Sequence, residues 1–165
     1  MSIAVRPATA DDAARVAAIY NQGIEERQAT FETRPRGGAE LAEQIGATRD
    51  LPFLVAELDG EVMGWARVFR YSPRDCYAGV GEASIYVDRA ARGRGVGRRL
   101  IDALGAAAER EGYWKLIGLL FPENGASVAL MRAAGFREVG TYRRHGRLEG
   151  RWRDVVVLER LLDGA

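Results

Sequence analysis

Ile85-Tyr86-Val87-Asp88-Arg89-Ala90-Ala91-Arg92-Gly93-Arg94-Gly95-Val96-Gly97-Arg98-Arg99-Leu100 is the stretch on which the reading of this chain turns. It begins as a strand, passes through a basic glycine turn and enters a helix with the apolar stripe Leu100, Ile101, Leu104 and Ala108. Glycine lets a backbone take positive φ and approach a ligand closely. Amides at a helix N-terminus lack internal partners and sit at the positive end of the dipole, so they favour an anion. Residues 89–99 add five arginines in eleven positions, a charge suited to phosphate. A P-loop requires Gly-Lys-Ser/Thr, which is absent. A dinucleotide fingerprint requires a third glycine where Arg98 or Leu100 stands, so both registers fail. RGG-type RNA segments are repeated and disordered, unlike a turn framed by strand and helix. On the motif alone, a helix start that happens to be basic stays open.

Upstream, residues 53–58, the Asp59-Gly60 turn and residues 62–69 read as a hairpin, and 81–87 as another strand. Residues 3–6 are extended up to Pro7, and Thr9 with Asp12 resembles a capping pair. Val16, Ile19, Tyr20, Gly23 and Ile24 share a helix face, residues 28–35 form a polar loop, and Leu41 with Ile45 mark a second helix. Downstream come a strand at 115–120, a helix at 124–134 stopped by Gly135, and strands near 137–142 and 152–158. Trp65 and Trp114 read as core residues at strand positions. The order β-α-α-β-β-β-α-β-α-β-β predicts a mixed sheet with helices against it, an α+β or α/β layer architecture. No repeat or linker divides the chain, so residues 1–165 are expected to form one domain.

The 165 residues are 47% hydrophobic with a net charge of +1, which gives no overall field favouring nucleic acid or an acidic membrane. Neither partner is expected. Cys76 is the only cysteine, so there is no intramolecular disulfide and a reducing compartment fits. The start lacks a signal-peptide pattern, and no apolar run approaches the roughly 20 residues of a membrane helix. A cytoplasmic protein is expected. His145, the only histidine, has no cluster at ligand spacing, so no metal is expected and a surface or strand-edge role is the reading. Cys76 has no histidine partner and reads as passive.

Arg92-x-x-Gly95-x-Gly97 resembles the pyrophosphate motif of GNAT acetyltransferases. The run from Asn124 through Ser127 and Leu130 to Gly135-Phe136 resembles that family's second cofactor region, and the resemblance spans residues 3–162. It implies a three-layer α/β/α GNAT fold, with a mostly antiparallel mixed sheet whose fourth and fifth strands are parallel and splay apart. Acetyl-CoA is then the co-substrate in the gap. Backbone groups of Ile85 and Val87 are implied to meet its pantetheine and acetyl group, with Tyr86 between them. The turn of Arg92, Gly93, Arg94, Gly95, Val96, Gly97 and Arg98 is implied to hold the pyrophosphate, with Asn124 and Ser127 completing the site.

Acetyl transfer to an amine needs a base, a donor for the carbonyl oxygen and a departing thiolate. Val87 N–H is a candidate oxyanion donor. Glu82 is the candidate base, its pKa raised beside Ile85 and Tyr86; an ordinary solvated carboxylate is the alternative. Residues 71–87 resemble phosphinothricin and methionine sulfoximine acetyltransferases, matching at Arg74, Tyr77, Glu82, Tyr86 and Val87. The loop Thr30-Phe31-Glu32-Thr33-Arg34-Pro35 is similar to their substrate loop, and Gly150-Arg151-Trp152-Arg153-Asp154-Val155 to their Gly-x-Trp-x-Asp-Val run. Residues 144–156 look like acetyltransferases of arsenic resistance, which act on arsinothricin. The implied substrate is a small amino-acid analogue bound by Phe31, Arg74, Tyr77 and Glu82, with Arg74 on its anionic end. Glu149 stands where many relatives have histidine or phenylalanine, and Met131 where many have a tyrosine acid. Relatives with this tail are commonly homodimers, so a homodimer is expected, with Trp152 at the pocket rim or the dimer interface. Acetylation of a protein N-terminus or a polyamine, and a non-catalytic acyl-CoA sensor, are the alternatives.

Overall fold

Apolar alternation and helical spacing translate into seven strands and four longer helices in the computed structural model, which describes residues 2–47 and 50–162. The order is β1 (Ile3–Pro7), α1 (Ala13–Glu26), α2 (Gly38–Gly46), β2 (Phe53–Leu58), β3 (Glu61–Arg70), β4 (Val80–Val87), α3 (Val96–Arg110), β5 (Lys115–Leu120), α4 (Gly125–Ala133), β6 (Arg137–Leu148) and β7 (Arg151–Leu161). It matches the order read from the sequence. The sheet runs β1-β2-β3-β4-β5-β7-β6, antiparallel except for the parallel pair β4 and β5.

Period-two alternation sends residues of each central strand to two cores. Ala66, Val68, Ala83, Leu116 and Leu158 pack with the α3 stripe of Leu100, Ile101, Leu104 and Ala108, all fully buried or nearly so. On the other face Phe53, Val55 and Trp65 pack with Val16, Ile19, Leu41 and Ile45 of α1 and α2. The result is the three-layer arrangement with a mixed, mostly antiparallel sheet. No helix among the described residues is long and apolar enough to cross a membrane.

Two readings change. Trp65 is a buried strand residue, but Trp114 precedes β5 and its indole is partly exposed, lying against Gly79. β6 extends to Leu148 rather than ending near residue 142. Its second half, Arg-Arg-His-Gly-Arg, has no apolar alternation because β6 is an edge strand that faces solvent. Pairing with β7 is irregular between Tyr142 and Gly146, where Arg144 takes φ 49° and donates its N–H to Asp154 Oδ1 at 2.8 Å.

Thr9 and Asp12 form the capping box, and Asp12 also joins three elements. Its buried carboxylate accepts Arg6 Nη1 at 2.8 Å and Nη2 at 2.9 Å, together with Thr9 N–H at 2.8 Å, while Arg6 reaches Glu57 of β2. The hydrogen bonds from Arg6 lead in holding the Asp12 carboxyl below its ordinary pKa. Its stabilisation is therefore complete above the unfolded value of about 3.9 and is lost as pH falls through the lower folded value. Asp12→Ala should cost about 1–3 kcal/mol at pH 7 by urea unfolding. The difference from wild type should shrink below about pH 4, and a pH-independent difference would refute the ion-pair account.

Candidate active site

β4 and β5 pair only from Val80↔Lys115 to Glu82↔Ile117. Beyond that rung the β5-facing backbone of residues 83–87 has no strand partner, although β4 stays paired with β3 to Val87↔Gly64. Two cavities open at the parting. One, of about 550 Å³, runs from the glycine turn between β4 and α4; the other, of about 670 Å³, lies under the loop after α1. Ser84, Tyr86, Leu119 and Leu120 line both, so the cavities meet where the strands separate.

The first cavity is built for an anion. Gly93 and Gly95 have φ of 74° and 89°, and Gly95 is the N-cap of α3. A Cβ on Gly97 would lie 2.9 Å from the Leu130 side chain of α4, so the glycine lets the first turn of α3 approach α4. Asp88, buried beneath the turn, accepts Ala90 N–H at 2.8 Å, Arg15 Nη2 at 2.8 Å and Gln22 Nε2 at 2.9 Å. Burial pushes the Asp88 carboxyl up, but these hydrogen bonds outweigh it and leave the pKa below its ordinary value. Arg92 is held by Glu26 at 2.8 and 3.0 Å, and Arg98 by Asp102 at 2.9 Å. The free donors of the turn are therefore its backbone amides and the exposed Arg94 guanidinium. Across the cavity, Asn124 caps α4 by accepting Ser127 N–H at 3.3 Å, and both residues line the wall.

The second cavity contains the expected base. Strand register sets Trp65 beside Tyr86, Arg67 beside Ser84 and Phe69 beside Glu82 on one sheet face, and all six line the cavity. Burial pushes the Glu82 carboxyl above its ordinary pKa, and no described side chain pairs with it. Burial likewise leads in raising the Tyr86 hydroxyl, which stays neutral. Phe31 closes the outer wall, with its ring 4.8 Å from Phe121 and so near Gly146 that a Cβ there would sit 2.7 Å away.

The acetyltransferase (GNAT) family model matches residues 20–136. A phosphinothricin N-acetyltransferase of Alcaligenes faecalis is 36% identical over 96% of this chain and 82% of that enzyme. The chain belongs to the GNAT acetyltransferase family. An L-methionine sulfoximine/L-methionine sulfone acetyltransferase of Pseudomonas aeruginosa is 32% identical over 99% of this chain and 96% of that enzyme. A phosphinothricin acetyltransferase of Sinorhizobium meliloti, solved in complex with acetyl-CoA, superposes with TM-score 0.90 at 32% identity, covering 98% of this chain and 89% of that one.

GNAT acetyltransferases use acetyl-CoA, and the residues present fit it. An unpaired strand edge, a cradle of amides with left-handed glycines and an adjoining cavity follow one another along the cleft. Ile85, Tyr86, Val87, Arg92, Gly93, Gly95, Gly97, Arg98, Asn124 and Ser127 all line it. Arg94 and Val96 do not: Arg94 is exposed, and the Val96 side chain is buried in the core against α3's neighbours. Met131 lines the cleft against Gly118 and has no proton to donate.

Of the expected substrate residues, Phe31 and Glu82 line the second cavity, whereas Arg74 and Tyr77 do not. Both are exposed in a loop outside it, with the Arg74 guanidinium 5.5 Å from the Tyr77 ring centroid. Trp152 lines neither cavity and lies exposed under Arg147. His145 does line the second cavity, stacked on Tyr142. Sequence reasoning missed Arg67, Arg70, Phe69 and Phe121. Alternation along Trp65-Ala-Arg67-Val-Phe69 was the available signal for Arg67 and Phe69.

Gly95→Val places a β-branched residue at φ 89°. It should weaken acetyl-CoA binding by about tenfold or more in calorimetry and cost about 1–3 kcal/mol of stability through backbone strain, with the fold retained because no core atom lies within 3.4 Å of the new Cβ. Wild-type affinity would sink the amide-cradle account. Glu82 gives a second check. Its raised pKa means the charged carboxylate costs stability in full above the folded value, and the cost fades as pH falls toward the unfolded value of about 4.3. Glu82→Gln should therefore melt above wild type at pH 8, with the gap closing toward about pH 4.

Proposed function

We propose that this GNAT enzyme transfers acetyl from acetyl-CoA to the α-amino group of a small amino-acid analogue such as phosphinothricin, methionine sulfoximine or arsinothricin, as a detoxification or resistance activity. The observation that carries this reading is the junction of the two cavities at Ser84 and Tyr86, with Glu82 one pleat away and its carboxyl raised by burial. The relatives named above, which act on phosphinothricin and on methionine sulfoximine or sulfone, support the substrate class. The arsinothricin member rests on the tail resemblance at residues 144–156.

Bound acetyl-CoA supplies an acetyl group activated as a thioester, whose carbonyl carbon the amine takes as the sulfur departs as thiolate. Glu82 accepts the proton that the substrate ammonium must lose, directly or through one water. Val87 N–H, on the unpaired strand edge, donates to the carbonyl oxygen as charge develops there. Tyr86 and Phe31 exclude water and wall the amine toward the junction. With Met131 where a tyrosine acid would stand, solvent returns a proton to the thiolate. Arg67 and Arg70 in the second cavity disfavour a polyamine, because like charges would meet in a partly dry site.

The enzyme is further proposed to work as a cytoplasmic homodimer. The exposed, unpaired Cys76 fits a reducing compartment. Val139, Tyr142, Trp152 and Leu161 are exposed large apolar residues spread along β6 and β7, the edge of the sheet that would suit a second copy. Light scattering should report twice the 18.1 kDa chain mass at micromolar concentration; the chain mass alone rules the dimer out.

Thiol release, corrected for hydrolysis, should be strong with phosphinothricin, methionine sulfoximine, methionine sulfone or arsinothricin and weak with polyamines and ordinary amino acids. Release with none of them, despite acetyl-CoA binding, would favour a sensor. Glu82→Gln should lower turnover by about 10²–10⁴-fold with little change in acetyl-CoA affinity. The wild-type rate should fall on the acid side as Glu82 gains its proton, and the variant should lose that component.

A further inference from the structure

Arg67 carries an unmatched charge. It lies in the middle of β3, is only 7% exposed and lines the second cavity. Among the described residues its one hydrogen bond runs from Nη1 to the neutral amide oxygen of Gln44 at 2.9 Å, and Nε is buried with no partner. No carboxylate pairs with it among the described residues, whereas Arg36 in the same cavity is matched by Glu32 at 2.9 Å and Glu40 at 3.5 Å. The guanidinium stands over the rings of Phe69 at 4.0 Å and Phe53 at 4.8 Å, which shield the charge from water on those sides. Burial lowers its pKa to about 10, so it remains a cation at neutral pH. A second buried donor, Trp65 Nε1, is also unpartnered, and Trp65 lines the same cavity two residues earlier on the same face.

Buried donors are almost always paired, and a buried cation without a counter-charge is costly. Both residues line a cavity of about 670 Å³ that meets the cofactor cleft. Register puts Arg67 opposite Ser84 and Glu82 opposite Phe69, so the two charged groups are diagonal neighbours on adjacent strands. Diagonal neighbours have Cβ atoms roughly 7–8 Å apart, close enough for one compact amino acid to meet both side chains. We propose that Arg67 is the substrate's anion anchor: its guanidinium fork binds a carboxylate or a phosphinate-like oxyanion while the amine faces Glu82.

The inference rests on the acetyltransferase reading, and three substrates separate its parts: phosphinothricin, methionine sulfone and the α-amide of methionine sulfone. For each, kcat/KM is compared between wild type and Arg67→Met, with acetyl-CoA affinity as the check on folding. Loss of a buried charge partner is expected to cost about 30-fold or more. A loss of that size confined to phosphinothricin supports the anchor and places the anionic side-chain end on Arg67. Loss with phosphinothricin and methionine sulfone, exceeding that with the amide at least tenfold, supports it and places the α-carboxylate there. Equal losses on all three overturn it. If Arg67→Met fails to bind acetyl-CoA, Arg67→Lys is read on the same ratios, expected to lie between wild type and the loss described. If wild type acetylates none of the three, the substrate reading fails while the anchor is still tested. Inorganic phosphate should then raise the melting temperature of wild type more than that of Arg67→Met, and equal shifts overturn the anchor.

Discussion

The parting of β4 from β5 is the constraint on which the rest depends. The two strands are pinned at one end, where Gly79 carbonyl accepts Trp114 N–H at 2.8 Å and Lys115 N–H at 3.2 Å. The Trp114 indole lies so close over Gly79 that a Cβ there would be 2.0 Å from the ring. Three rungs later the pairing stops, while β4 keeps β3 and β5 keeps β7 through Leu120↔Val156. Each strand is thus held straight by its outer partner and cannot close the gap. Backbone groups left facing that gap require a hydrogen-bonding partner, and an extended ligand with amide groups supplies one at no cost to the fold.

The two cavities treat their arginines oppositely, and the difference follows from exposure. Around the glycine turn, Arg89, Arg92 and Arg98 are about half exposed and paired with Glu25, Glu26 and Asp102. Exposed pairs of this kind are worth about 0–1 kcal/mol, so a phosphate can take a guanidinium from its carboxylate at little expense. The geometry that cannot be exchanged is the run of amides, fixed from below by Asp88. In the second cavity the order reverses. Arg67 is dry and lacks a carboxylate, so its charge is available in full to whatever enters. Fixed amides suit a cofactor common to a whole family; one uncompensated cation suits discrimination among substrates.

Much of this was legible before any coordinates. Gly93, Gly95 and Gly97 are interpretable because glycine in a strand-to-helix turn has few other reasons to recur, and Leu100, Ile101, Leu104 and Ala108 because helical spacing buries a stripe. Glu82 was accessible as a carboxylate on the strand that feeds the turn. Arg67 was legible only in part: alternation puts it on one face with Trp65 and Phe69, but a single cation in an apolar strand reads equally as an edge residue until the layers on both faces are known. Arg74 is the converse case: a residue carried over by resemblance lies in an exposed loop and does not line this chain's own cavity. The second half of β6 was illegible for a physical reason too, since an edge strand facing solvent has nothing to alternate against.

Placement of Glu82 on a strand rather than a loop explains how its environment is kept dry. Tyr86, four residues along on the same face, is stacked 4.8 Å from Trp65, which in turn stacks 5.4 Å from Phe53. Tyr20 of α1 meets both Trp65 and Tyr86 edge-on, and Gly23 one turn later leaves room for the Tyr86 ring, where a Cβ would stand 2.9 Å away. The aromatic wall is therefore locked by the packing of α1 on the sheet, not by the substrate. A carboxylate beside such a wall is desolvated before anything binds, which raises its proton affinity. The same stack adjoins Arg67 on β3, so one rigid surface sets both the basicity of Glu82 and the dryness of the cation next to it. Stability invested in that wall is what keeps the two charges apart and unpaired until a molecule bearing both an amine and an oxyanion fits between them.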